Sequence, residues 1–190
     1  MTPLLDARSA NPREGGPSFA LRHRLTRLAW AVVWNGLGKW TPVPFHGWRR
    51  LLLCGFGASI HRDARIYPGV KIWYPANLSM DAHACLSSGV NCYSMDKITL
   101  GAYALVSQGA YLCGGTHDVD DPHFQLVTKP ITIGANAWIA ADAFVGPGVV
   151  IADGAVLGAR GVTFKNLEAN SIYAGNPARF IRHRKQPGIV

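Results

Sequence analysis

The chain has 190 residues, of which 48% are hydrophobic and 16% charged; this suits one folded domain with an arm and excludes a wholly disordered chain. Its formal net charge of +8 calls for an acidic partner, such as a phosphorylated ligand, a nucleic acid or an anionic membrane surface. The four cysteines, Cys54, Cys85, Cys92 and Cys113, form no C-x-x-C pair, which argues against a zinc ribbon or a dithiol redox motif and fits a reducing compartment.

Residues 1–18 are polar and read as a flexible N-terminus without the apolar core of a signal peptide. Residues 19–57 read as a helical arm. Arg22, Arg24 and Arg27 interleave with Leu21, Leu25, Leu28 and Trp30, and a second basic-apolar run spans 48–53. Such an arm is expected to cap the open end of a repeat domain. Its amphipathic character also fits peripheral membrane contact. No apolar run near it is long enough to span a bilayer as a helix. The expected location is therefore cytoplasmic, with membrane association through the arm.

Residues 58–170 carry an internal repeat of six. One aliphatic column runs Ile60, Ile66, Ile72, Leu78, Ala84 and Val90, resumes at Leu100, Val106 and Leu112, and ends with Ile133, Ile139, Val145, Ile151 and Leu157. Four positions after each member stands a small or β-branched residue, as at Ala64, Val70, Ala104, Ala110, Ala137, Ala143 and Ala155. A lone helix needs a period near 3.6 and a lone strand needs 2, so six fits neither. It fits a coil of three short flat faces, with aliphatic residues stacked inward and small residues near the corners. The expected fold is an all-β solenoid, a parallel β-helix of hexapeptide repeats, with a helical arm before it and a short basic tail, 171–190, after it.

The repeat is interrupted twice. The first break, Met95 to Thr99, is short. The second is long and polar, and it places His117, His123, Asp118, Asp120 and Asp121 in a loop at 113–130. Repeats stack, so such a loop must leave the solenoid, and loops of this kind are where chemistry sits.

The sequences GTHD at 115–118, ITIGANAWIAADAFVGPGVVI at 131–151 and AGNPAR at 174–179 resemble hexapeptide-repeat O-acetyltransferases of the maltose, galactoside and nodulation type. The stretch from HGWRR at 46–50 to SQGAYLCGGTHDVDDPHF at 107–124 is more similar still to the colanic-acid-type sugar acetyltransferases of bacterial exopolysaccharide synthesis. The resemblance implies a left-handed coil, acetyl-CoA as co-substrate, no metal, and a homotrimer with sites shared between neighbours. It makes His117 the general base. It places Trp138, Ala141, Ala159, Lys165, Arg179 and Arg182 along acetyl-CoA. Tyr93, Asp118 and His123 are the candidate contacts for the saccharide acceptor, whose identity the resemblance leaves open. Family members often carry serine where Ala141 stands and threonine where Phe164 stands.

The residues suit that chemistry. A neutral imidazole titrates near neutral pH and can take a hydroxyl proton as the oxygen attacks a thioester. A backbone N–H can hold the developing oxyanion. Asp118, Asp120 or a backbone carbonyl could orient the ring. Lys165, Arg179 and Arg182 suit the phosphates of CoA, and no nucleic-acid motif is present. Two other readings share the solenoid. A γ-type carbonic anhydrase would bind zinc through histidines such as His83, His117 and His123, and an inactive scaffold would need no site at all.

Overall fold

A computed structural model describes residues 4–185; the expectations for residues 1–3 and 186–190 lie outside them. The core is a three-sided parallel β-solenoid. Its first face stacks Ser59–Ile60, Leu78–Met80, Ile98–Leu100, Ile131–Ile133 and Val150–Ile151. Its second face stacks Arg65–Ile66, Cys85–Leu86, Leu105–Val106, Trp138–Ile139, Val156–Leu157 and Ser171–Ala174, and Arg179–His183 closes it as an antiparallel edge. Its third face stacks Lys71–Ile72, Asn91–Tyr93, Tyr111–Cys113, Phe144–Val145 and Val162–Thr163. Each strand is two to four residues long apart from the closing edge, because each face is only one repeat wide. The backbone bonds run between coils, as in the pair Trp138 N–H to Ala155 O at 2.8 Å and Leu105 N–H to Ala137 O at 2.9 Å. The inward aliphatic residues then form continuous vertical stacks, and Ile66, Leu86, Val106, Ile139 and Leu157 on the second face are all fully buried.

The stacks correct one part of the repeat assignment. In the second coil Ile60 pairs with Met80, Ile66 with Leu86 and Ile72 with Cys92. Leu78, Ala84 and Val90 are buried, but they continue the small-residue column of Ala58, Ala64 and Val70. Two extra residues enter before Leu78, where Pro75–Asn77 makes a short 3-10 turn. The count of six had run across this insertion because Leu78, Ala84 and Val90 are also apolar, so period alone could not register the slip.

The arm folds as two helices, α2 (Leu21–Val33, after a first short helix α1 at Ala7–Ala10) and α3 (His46–Gly55). They cover the first coil. Trp30 of α2 and Trp34, which opens the π-helical turn Trp34–Gly38 that continues it, are buried, and their indole N–H groups donate to Ile72 O at 2.8 Å and Val70 O at 2.9 Å. Those carbonyls belong to an end strand and have no coil beneath them to bond with, so the tryptophans satisfy a sheet edge while covering the core. Arg49 of α3 is fully buried and acts in the same way on Ile66 O, at 2.7 Å. Among the described residues no helix is long and apolar enough to cross a membrane.

Within the N-terminal stretch expected to be flexible, residues 4–18 make contacts with the rest of the chain. Leu4 bridges Phe19, and Leu5 N–H donates to Ser18 O at 3.0 Å. Ala7 is buried and its N–H donates to Gln125 Oε1 at 2.7 Å, which ties the segment to the long loop. A polar composition does not announce these contacts, because they run through backbone groups.

Candidate active site

The insertions that interrupt the repeat share a position. Tyr74–Asn77, Ser94–Lys97 and the long loop all leave the solenoid between the third face and the first. They therefore stack on one corner. Asn77 Nδ2 donates to Ser94 O and Met95 O, each at 3.0 Å, while Ser94 Oγ donates to Tyr74 O at 2.9 Å. The long loop opens from this corner as an antiparallel hairpin, Gly115–His117 against Leu126–Thr128. A Cβ at Gly115 would press on Met95 Sδ, so glycine there lets the hairpin lie close to the insertion below without moving the methionine side chain.

His117 ends the first hairpin strand, exposed and stacked on Phe124 with ring centroids 4.4 Å apart. Its Nδ1 lies 2.9 Å from Phe124 O. A carbonyl only accepts, so Nδ1 carries a proton, and in the neutral ring Nε2 keeps the lone pair. This is the orienting group that the sequence left open among Asp118, Asp120 and a carbonyl. Asp118 and Asp121 instead shape the loop: Asp118 Oδ1 accepts from Asp120 N–H at 3.1 Å, and Asp121 Oδ1 accepts from His123 N–H at 3.0 Å. The bond from His123 N–H, joined by one from Gln125 N–H, lowers the pKa of the Asp121 carboxyl from its ordinary value.

His117 opens onto a cavity of about 420 Å³. Tyr93, Trp73 and Met95 line it from the stacked insertions and the third face; Arg24 and Arg27 line it from α2, and Gly15 to Phe19 from the N-terminal segment. Of the residues expected near the acceptor, Tyr93 is thus brought to His117. Burial, followed by nearby Cys113, raises its phenol above the ordinary value, partly offset by Arg27, so it stands as a neutral hydrogen-bonding group. Asp118 is not among the lining residues. His123 lines a separate hollow of about 200 Å³ with Pro12, Arg13 and Glu14. Cys113 is half-buried, and its thiol donates to Gly115 O at 3.2 Å, a packing role.

The residues expected along acetyl-CoA fall into two groups within one chain. Trp138 is half exposed on the second face, and its indole N–H donates to Ser107 Oγ at 2.9 Å. Strand register carries Trp138 through Val156 and Ile172 to Arg182, so the tail arginines extend the same face. Ala141 and Ala159 follow on the corner after that face in successive coils, and their N–H groups make no hydrogen bond among the described residues. Lys165 lies apart, on the insertion corner beyond Thr163. Within one chain, no group of three or more His, Cys, Asp or Glu is close enough among the described residues to hold a metal.

Two features lay beyond sequence reasoning. Trp73, Tyr93, Tyr111, Phe144 and Phe164 form an aromatic ladder up the outside of the third face, with successive ring centroids 5.8, 6.0, 5.3 and 5.6 Å apart. Its members recur one per coil at outward positions, but the unequal insertions hide that spacing. Gln125 was missed as well; its Nε2 donates to Leu5 O at 3.3 Å while its Oε1 holds Ala7 N–H, and nothing in the sequence marks so distant a pair.

A triangular parallel solenoid with a histidine hairpin thrown from one corner defines a class, the hexapeptide-repeat acetyltransferases. No protein-family model matches the chain. An Escherichia coli (strain K12) protein bearing the name colanic acid biosynthesis acetyltransferase WcaF is 44% identical over 155 residues, which are 82% of this chain and 85% of that protein. Galactoside O-acetyltransferase of the same organism is 28% identical over 137 residues, 70% of this chain and 68% of that one. Among solved structures, a maltose O-acetyltransferase from Clostridium difficile 630 superposes with a TM-score of 0.77 at 20% identity, covering 88% of this chain and 90% of that one. The hexapeptide-repeat acetyltransferase VCA0836 of Vibrio cholerae in complex with acetyl-CoA gives 0.77 at 19% identity, covering 88% and 91%. The chain belongs to the hexapeptide-repeat acetyltransferases of the colanic-acid type.

Proposed function

We propose that this enzyme transfers the acetyl group of acetyl-CoA to a hydroxyl of a saccharide, free, nucleotide-linked or lipid-linked, in bacterial polysaccharide synthesis, with His117 as general base. The observation that carries the reading is the bond from His117 Nδ1 to Phe124 O, which leaves Nε2 free beside the cavity. Nε2 takes the proton as the acceptor oxygen bonds to the thioester carbonyl carbon. The tetrahedral adduct then expels the CoA sulfur, which receives the same proton from Nε2. The products are the acetate ester and free CoA, and His117 returns to its starting form. Trp138 and the unpaired N–H groups of Ala141 and Ala159 offer the thioester arm a surface and donors; Lys165, Arg179 and Arg182 suit its phosphates.

The test is acetyl transfer to a panel of sugars, nucleotide sugars and lipid-linked saccharides, read as ester formation by mass spectrometry. His117→Ala is expected to lower kcat by about 10²- to 10⁴-fold with the fold retained. Undiminished transfer would remove His117 from the chemistry.

Two assembly statements belong to the same reading. A homotrimer is supported by the aromatic ladder, whose last ring, Phe164, is 67% exposed in the single chain and lies at the insertion corner with Lys165. Light scattering is expected to give three chains per particle; a monomer would contradict it. Peripheral membrane contact is supported by α2, where Leu21, Leu25, Leu28 and Val32 are exposed at helical spacing and residues 19–57 contain no Asp or Glu. Sedimentation with anionic vesicles is expected to carry the protein down, and loss of that binding in Leu25→Asp would assign it to this face.

A further inference from the structure

Two arginines in the cavity have no charged or hydrogen-bonded side-chain partner among the described residues. Arg24 and Arg27 line it together with His117, and no carboxylate is among the lining residues. Arg27 is half-buried, its guanidinium carbon 4.0 Å from the centroid of Trp73. Among the described residues neither arginine makes an ion pair or a side-chain hydrogen bond to the protein, the ion pairs being His61 and Arg62 with Asp63 and Arg160 with Asp142. Burial, and then the charge of Arg24, pull the pKa of Arg27 below its ordinary value, against an opposing pull from Tyr93.

The same arm shows what a structural arginine looks like. Arg49, fully buried, donates from all three guanidinium nitrogens to Ile66 O, Thr41 O, Thr41 Oγ1, Pro42 O and Val43 O. Arg27 has no such partners, although partial burial makes its charge costly. Two adjacent guanidinium groups without a counter-charge, open to a cavity, form a receptor for a dianion.

We propose that Arg24 and Arg27 bind a phosphoryl group on the acceptor, so that the acetyl group is delivered to a glycosyl phosphate or diphosphate in preference to a neutral sugar. This rests on the acetyl-transfer reading above and names its substrate class. A phosphoryl dianion matches two guanidinium groups, whereas one guanidinium fork suffices for a carboxylate. Trp73 beneath Arg27 and Tyr93 beside it supply a flat apolar wall and a neutral hydroxyl for the attached sugar ring.

The experiment is calorimetric titration of inorganic pyrophosphate into the full-length protein saturated with CoA, so that the coenzyme's own phosphate contacts are filled. Binding is expected, with a loss of about tenfold or more in Arg24→Gln and again in Arg27→Gln. Arg24 is exposed, so its variant keeps the fold even if Arg27→Gln does not. UDP and farnesyl diphosphate are titrated in parallel; tighter binding of either supports the inference and assigns the phosphate to a nucleotide or a lipid carrier. The inference is overturned if pyrophosphate fails to bind, if Arg24→Gln and Arg27→Gln leave its affinity unchanged, or if glucuronate binds as tightly as pyrophosphate. CoA binding is read in the same samples. Pyrophosphate failure with intact CoA binding removes this inference alone. CoA failure removes the acetyl-transfer reading, and pyrophosphate titrated without CoA still decides the arginine site.

Discussion

Replacing Arg49 with methionine tests whether the arm is a structural cap. The substitution keeps an unbranched apolar stem and removes every donor. It takes the guanidinium from Ile66 O, Thr41 O, Pro42 O, Val43 O and Thr41 Oγ1, acceptors that Arg49 meets at 2.6 to 3.1 Å; Ile66 O keeps His46 Nδ1 at 2.8 Å and Pro42 O keeps Phe45 N–H at 3.0 Å, so Thr41 O and Val43 O lose most. A buried polar group left unpaired costs about 1–3 kcal/mol. Methionine also relieves the burial of a charge, and some of the stranded carbonyls gain water as the loop at 41–43 relaxes. The net expectation is about 3–5 kcal/mol, the range for removing one member of a buried charged network. That is a large part of the ~5–15 kcal/mol that holds an ordinary domain together. Urea unfolding at one fixed protein concentration reads it as a fall in midpoint with an unchanged slope. Arg50→Met, at the half-exposed neighbouring position, is the control and is expected to change stability by no more than about 0.5 kcal/mol. A loss below about 1 kcal/mol for Arg49→Met would refute the cap argument, since it would mean that the carbonyls do not depend on the guanidinium.

His23 is buried against Phe19, Trp73 and Tyr74, and neither ring nitrogen has a partner among the described residues. Burial, and then Arg27, hold its pKa below the ordinary 6.5, so the unfolded chain takes this proton before the folded one does. Its contribution to stability is therefore complete above about pH 6.5 and is lost as the pH falls through the folded value; His23→Phe is expected to flatten Tm between pH 7 and 5, and parallel curves would contradict this. Burial drives the Cys92 thiol up to about 12, so iodoacetamide at pH 8 is expected to spare it in the native protein and label it in urea, as peptide mapping would show. Gln125→Ala frees the N-terminal segment from the His117 hairpin; it is expected to raise the acceptor KM by about 5- to 30-fold, the effect of ~1–2 kcal/mol, with the acetyl-CoA KM unchanged.

Much of this was legible from the sequence, and the boundary of legibility has a physical cause. The inward stacks must be filled with aliphatic residues coil after coil, so Ile133, Ile139, Val145, Ile151 and Leu157 announce themselves. Where an insertion is two residues long and its flanks are apolar, as between Ile72 and Met80, the count slips unnoticed. Arg24 and Arg27 were read only as part of a basic-apolar arm, because their place in the cavity depends on how α2 crosses the first coil. Phe124 O, which orients His117, is a backbone atom and leaves no mark in residue identity at all. Asp118, expected among the acceptor contacts, follows the end of the Gly115–His117 strand and is not among the residues that line the cavity.

The common corner explains why the functional residues come from such different parts of the chain. A coil can admit extra residues only where its ladder bonds turn, since an insertion within a face would break pairing above and below. Insertions at one corner then lie above each other at the coil spacing of about 4.8 Å. Here each layer builds on the one beneath it. Asn77 of the first insertion holds Ser94 and Met95 of the second. Tyr93 O of that layer accepts from Gly114 N–H at 3.0 Å, where the long loop begins, and Gly114 O accepts from Lys129 N–H at 3.1 Å, where it ends. His117 is therefore fixed by a chain of short bonds that starts at the first coil, the coil on which the arm is seated. Arg24 and Arg27, carried by that arm, reach the same cavity along the side of the stack. A slip of the cap would shift Arg24 and Arg27 against His117 while Trp138, Ala141 and Ala159 on later coils stay in place; under the proposed function, Arg49→Met, assayed at a temperature where it remains folded, should raise the KM for acceptor before that for acetyl-CoA. An equal rise in both would show that the arm supports the whole solenoid and not this corner in particular.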